Sequence, residues 1–204
     1  MEARQIFLAC HACVHSKMVD PEGWWKEEDT IWSDIAEEEL RSRPTPEHNS
    51  IAWLVWHVAR CEDVAVNTVL RGVQEVLDRD GWLAELGVTA RHIGTGAPSS
   101  EVTDISQAIC LDALRAYRAA VGRETRGWAS TLDFATLGAI VSAADARRAA
   151  ERGAFGEHAA WVEQHWAARG WRRSDFLFWL AIEHTWLHIG EIGVIRSLLH
   201  HTGC

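Results

Sequence analysis

The sequence predicts an all-α protein, a four-helix bundle with additional short helices in the connections. Three observations predict it. Apolar residues recur at helical spacing in several long stretches, convincing strand signals are absent, and the breaks between stretches fall at Pro and Gly. With 204 residues, 48% of them apolar and 24% charged, the chain has the composition of a globular protein. No repeat, low-complexity tract or linker divides it, so residues 1–204 are read as one domain.

A first helix is expected from about Glu2 to Lys17, stopped by Asp20-Pro21-Glu22-Gly23, and a shorter acidic one from Thr30 to Arg41, stopped by Pro44 and Pro46. Asn49-Ser50 supplies the cap of the second long helix, Ser50 to Leu70. Its Ile51, Leu54, Val55, Val58, Val64 and Val69 form a broad apolar surface. Residues 81–100 read as irregular. Thr103-Asp104 opens a third helical region reaching about Trp128, and residues 132–170 read as broken helical pieces ending at Gly170. Ser174 is the expected cap of the last long helix, Asp175 to Leu199.

Lys and Arg number 20 against 29 Asp and Glu, a net charge of −9 without a basic cluster, so nucleic acid is not an expected partner. No apolar run approaches the roughly 20 residues needed to cross a bilayer, and the start of the chain lacks a signal-peptide pattern; no membrane partner is expected. Five scattered cysteines (10, 13, 61, 110 and 204) suggest reduced thiols in a cytoplasm. Twelve Trp stand against one Tyr and five Phe, so much indole surface must be buried, with each N–H expected to find a partner.

The segment from Ile182 to Glu191 carries the most chemical information. His184 and His188 are one helical turn apart and leave the same face, which they share with Leu177, Ala181, Glu191 and Ile195. The second long helix carries His57 on a stripe with Trp53, Cys61 and Val64. Two helices supplying three imidazoles would make a facial metal site with open positions. H-x3-H alone is common, and buried hydrogen-bonded histidines satisfy the same spacing. Glu191 can orient a ligand imidazole, bind an ion or take a proton from bound water, or form an ordinary salt bridge. Cys61 can reach the same cavity or serve as a small buried residue.

Cys10-His11-Ala12-Cys13-Val14-His15 combines C-x2-C with H-x3-H, but on one helix the cysteines and histidines occupy neighbouring stripes and cannot all close on one ion. His11 or His15 at the mouth of the main pocket is the preferred expectation. His158, His165, His200 and His201 read as surface residues. Trp24, Trp25, Trp161 and Trp166 read as pocket walls or packing.

Residues 49–63, from Asn49 through Trp53, His57 and Asp63, resemble the second-helix signature of the DinB-like (YfiT-type) superfamily. His184-Thr185-Trp186-Leu187-His188-Ile189-Gly190-Glu191 resembles its last-helix motif. The likeness extends through Asp80-Gly81-Trp82 and Asp112 to Tyr117. It implies a four-helix bundle holding a divalent metal on His57, His184 and His188. It also implies activities ranging from transferases using low-molecular-weight thiols, of the mycothiol or bacillithiol type, to thiol-dependent isomerases and hydrolase-like proteins. The sulfoxide-synthase pattern in related domains has a Glu where this chain has Gly190, so that analogy is weaker.

The expected function is therefore metal-dependent transfer of such a thiol to small electrophilic substrates, with zinc favoured and nickel, iron or copper also suited to three imidazoles. The alternatives are hydrolysis by bound hydroxide with Glu191 as a catalytic base, and non-catalytic sequestration of a metal or small ligand. A structural bundle without metal, and a homodimer, complete the expectations.

Overall fold

The computed structural model describes residues 2–22 and 25–201. Among them four long helices dominate: α1 (Ala3–Val14), α2 (Ile51–Asp63), α3 (Leu111–Thr131) and α4 (Arg173–His201). α2 packs on both α3 and α4, and α1 lies against α3 and the early part of α4. No strand occurs among the described residues; Ile140 and Arg172 form an isolated bridge.

Ser50 starts α2 as expected, its Oγ accepting from the Trp53 backbone N–H at 3.0 Å. Every residue from Ile51 to Leu70 is buried, which makes α2 the central helix. Polar side chains there must find partners inside the protein. Arg60 donates to Asp63, Glu75 and the Tyr117 hydroxyl at 3.2, 2.6 and 2.9 Å. Asp63 in turn accepts from the backbone N–H groups of Val76 and Leu77 at 2.9 and 3.0 Å. That network fastens the short helix Val76–Arg79 onto α2.

Several boundaries differ from expectation. α1 stops at Val14 because His15 turns extended, and the predicted 30–41 helix is two short ones, Glu27–Ile31 and Glu37–Arg41, parted where Asp34 adopts φ 50°. α2 continues through Val64–Arg71 as wider i→i+5 turns. The 81–100 region holds the helix Trp82–Glu85. The third helical region is two helices: Ser99–Ala108 begins behind Pro98, and an extended Ile109-Cys110 separates it from α3. Residues 132–170 are helical pieces, chiefly Ala143–Glu151 and Trp161–Ala168. α4 begins at Arg173, with Asp175 bonding back to the Arg172 N–H at 3.3 Å instead of Ser174 capping. α4 also contains a wide turn, Trp179–Glu183, immediately before His184. Such turns rotate less per residue than an α-helix, so residues on either side leave the straight stripe. Hydrophobic spacing does not register these insertions.

The indole expectation is only partly met. Trp53, Trp56 and Trp166 are core residues, yet the buried N–H groups of Trp32, Trp53, Trp56 and Trp82 have no hydrogen-bond partner. Ring packing, such as Trp53 stacked on His57 at 4.9 Å, sets their positions. Trp24 and Cys204 lie outside the described residues; the other four cysteines are free. No helix among the described residues is long and apolar enough to cross a membrane.

Candidate metal centre

α2 and α4 bring His57, His184 and His188 together. Their ring centroids are 5.0 Å (57–184), 4.9 Å (57–188) and 4.6 Å (184–188) apart. His57 is buried, while the other two are partly accessible. Burial pushes the His57 imidazole down to about 3, with His188 adding to the effect. Burial, with His57 and His188 nearby, lowers His184 to about 2. Both rings are therefore neutral at pH 7, the form that offers a lone pair.

Hydrogen bonds decide where those lone pairs point. The Ile93 carbonyl can only accept, so His57 Nδ1 carries the proton that reaches it and Nε2 is left free. His188 Nδ1 lies 2.8 Å from Glu191 Oε2, and the His188 bond holds the Glu191 carboxyl below the usual carboxylate range. His188 Nδ1 is thus the donor and its Nε2 is free as well. That atom lies 3.1 Å from His184 Nε2, while His184 Nδ1 is buried without a partner. Two ring nitrogens at this spacing match neighbouring ligands of one ion with bonds of about 2.0–2.1 Å. The donor set fits a divalent metal.

The Ile93 carbonyl is delivered by a loop pressed against α2. Gly94 has φ 85°, and a Cβ there would come within 2.7 Å of Trp56 and 2.9 Å of Trp53. Glycine meets both demands. Cys61 Sγ lies 3.8 Å from both His57 nitrogens, and a ligand atom from each of His57, Cys61 and His184 falls within 4.8 Å of the others. Burial pushes the Cys61 thiol up to about 12, so by itself it is a neutral wall residue.

A cavity of about 180 Å³ opens onto His184 and Cys61, walled by Trp161, Trp166, Trp171 and Trp179, with His165 and Arg169 contributing polar groups. The larger hollow of about 500 Å³, lined by Ala12, Trp25 and Trp186 among others, includes none of the three histidines. Proximity to the imidazoles makes the smaller cavity the relevant one.

One expectation needs correction, and another is met but incomplete. His11 and His15 are not at a pocket mouth: both are fully buried, with their Nε2 atoms 3.0 and 3.1 Å from the Glu62 carboxylate, because the inner face of α1 turns toward α2 rather than the cavity. His165, read as a surface residue, is exposed yet lines the aromatic cavity. The sequence reading also missed Asn49, which donates to Glu191 at 3.0 Å, and the Ile93 carbonyl. Asn49 was visible only as part of a helix cap, and a backbone carbonyl has no sequence signature.

The DinB superfamily pattern matches residues 24–192. The chain belongs to the DinB superfamily. A crystal structure described as the conserved protein of locus from Enterococcus faecalis resembles this DinB-superfamily chain with a TM-score of 0.67 at 16% identity, over 97% of each chain, a likeness of fold. No curated protein matches the sequence.

Proposed function

We propose that this protein is a metal-dependent transferase joining a low-molecular-weight thiol to a small electrophile. The observation that supports it most is the convergence of three imidazoles, one of which, His184, lines an aromatic cavity. His57, His184 and His188 would hold the ion, with zinc favoured and nickel, iron or copper compatible with the same donors. A divalent ion there lowers the pKa of a bound thiol or water. The Ile93 carbonyl and Glu191 keep two of the rings turned with Nε2 inward.

The Trp walls would hold a flat, apolar electrophile and exclude water, while Arg169, stacked 4.9 Å over Trp171, offers a cation for an acidic substituent. The net change is a new sulfur–carbon bond, with loss of the thiol proton and of the group displaced from carbon. Glu191 accepts from both His188 Nδ1 and Asn49, on the side of the ring opposite Nε2. It is placed to position His188, which disfavours its use as the base of a hydrolase. The free cysteines fit a reducing, cytoplasmic setting. Trp186, Leu187 and Val194, exposed along α4, offer a face for a homodimer.

The test is metal analysis of wild type beside His57→Ala, His184→Ala and His188→Ala, with turnover of an electrophile panel with and without a small thiol. Each substitution is expected to empty the site while helical content persists, and turnover should require both metal and thiol. Glu191→Gln should weaken metal binding by about 10–100-fold. Thiol-independent turnover would assign a hydrolase, binding without turnover a sequestering protein. Full activity of metal-free protein would end the proposal.

A further inference from the structure

A second group of ligand-type side chains lies on the other side of α2. His11 and His15 project from the end of α1, Glu62 from α2 and Glu28 from the short helix Glu27–Ile31. All four are buried, at 0, 0, 0 and 2% exposure. His11, His15 and Glu62 each place a ligand atom within 4.8 Å of the others. His11 and His15 precede the segment that matches the family, residues 24–192.

A single ring proton cannot serve both carboxylates that face His15. His15 Nε2 faces Glu62 Oε2 at 3.1 Å, and His15 Nδ1 faces Glu28 Oε2 at 3.6 Å. A neutral imidazole carries one proton. Whichever nitrogen holds it, the other turns a lone pair toward a carboxylate oxygen inside the protein, where repulsion is poorly screened. Both Glu28 oxygens and the Nδ1 atoms of His11 and His15 lack any hydrogen-bond partner. Arg118 supplies one positive charge against two carboxylates, pairing with Glu62 and lying 3.6 Å from Glu28. Burial pushes His11 down to about 4, with His15 adding to the effect, so His11 is a neutral donor at pH 7.

We propose that this cluster is a second, buried cation site, in which His11 Nε2, His15 Nε2 and Glu62 hold a divalent transition-metal ion. Glu28 then accepts from His15 Nδ1–H and orients that ring, as carboxylates do behind metal-bound histidines. The ion resolves both mismatches at once: it occupies the lone pair facing Glu62, and it releases the His15 proton to the Glu28 side. Two imidazoles and a carboxylate are a donor set that zinc and its neighbours accept. Sealed among α1, α2 and α3, such an ion would brace the N-terminal helix. Gly122 lies against it, since a Cβ there would sit 2.6 Å from the His15 ring.

The inference does not depend on the three-histidine site, and one experiment separates them. Full-length wild-type protein is stripped with chelator and titrated with Zn²⁺ while the histidine ring nitrogens are followed by ¹H–¹⁵N spectroscopy. The same titration is run on a chain carrying His57→Ala, His184→Ala and His188→Ala. Shifts of the Nε2 signals of His11 and His15 in wild type, and one equivalent bound to the triple variant, are the expected results. Shifts confined to residues 57, 184 and 188 would overturn the proposal. So would a His15 ring carrying protons on both nitrogens and unmoved by a large excess of zinc. Should the triple variant fail to fold, the wild-type ring shifts decide alone.

Discussion

The two histidine clusters use the same local spacing, H-x3-H, to opposite ends. His184 and His188 meet a third imidazole, their surroundings include an aromatic cavity, and the carboxylate nearby, Glu191, lies behind a ring. His11 and His15 meet a carboxylate directly, with Arg118 beside it and no measurable exposure. One arrangement is built of imidazoles and partly accessible, and suited to exchange of ligands. The other is charge-compensated and sealed, and suited to holding the fold together. Between them lies a void of about 10 Å³, room for one water, lined by Glu28, Arg118, Thr185 and His188 among others. What distinguishes the clusters is the residue presented by α2: His57 to one, Glu62 to the other.

The largest expected contrast is therefore in stability without metal. Arg118→Met would leave Glu62 and Glu28 buried with no cation opposite. Removing one partner from a buried charge pair costs about 3–5 kcal/mol. His184→Ala removes a neutral ring at the edge of a cavity and should cost under about 2 kcal/mol. Urea denaturation in excess chelator measures both. Similar losses for the two variants would erase the proposed difference between a structural and an accessible cluster. On adding metal the order changes in part, because wild type gains binding energy at the three-histidine site that His184→Ala forfeits.

A pair of glycines sharpens the contrast at smaller cost. Gly94→Ala places a Cβ against Trp53 and Trp56 at a positive φ, so the loop must lift and its Ile93 carbonyl must release His57 Nδ1. Metal affinity at the three-histidine site should fall by about 10–100-fold, as it does when a ligand's outer partner is lost. Gly122→Ala drives a Cβ into the His15 ring and should destabilise the protein by about 1–3 kcal/mol through overpacking. It should leave the three-histidine site's affinity unchanged. Isothermal titration and thermal melts of both variants check the crossover. Equal effects on both readouts would mean that the clusters are coupled through α2.

The parts of this molecule readable in its sequence were those written within single helices. The bundle, the cap at Ser50, the inward pair His184 and His188, and the polar position His57 all follow from periodicity and spacing. The DinB resemblance was legible in residues 49–63 and 184–191 and agrees with the family match. The wide turns at Val64–Arg71 and Trp179–Glu183 were not legible, since each leaves hydrophobic spacing locally plausible. Glu62 was hidden for another reason. A Glu on an apolar helix reads as a solvent-facing position, and only the approach of α1 and α3 turns it into a buried anchor for two imidazoles and a guanidinium. Long-range partners are set by which faces meet, and single-helix patterns do not encode that.

The smallest expected effect concerns the clamp behind the loop that fixes His57. Arg91 holds Asp78 through two hydrogen bonds, and those bonds keep the Asp78 carboxyl below its ordinary value of 3.8. A carboxyl whose folded pKa is depressed stabilises the fold fully above the unfolded value, and that contribution is lost as pH falls through the folded one. Wild type should therefore melt slightly higher than Asp78→Asn above about pH 5, and the two curves should converge as pH falls below the ordinary carboxylate range. Both groups are partly exposed, so added salt should shrink the gap. The Glu62 cluster, being sealed, should show no comparable salt effect in the stability gap between wild type and Arg118→Met. A gap at Asp78 that ignores both pH and salt would show that the Arg91–Asp78 pair does not hold the loop, leaving it to the Arg60 and Ala154 hydrogen bonds and the packing at Gly94.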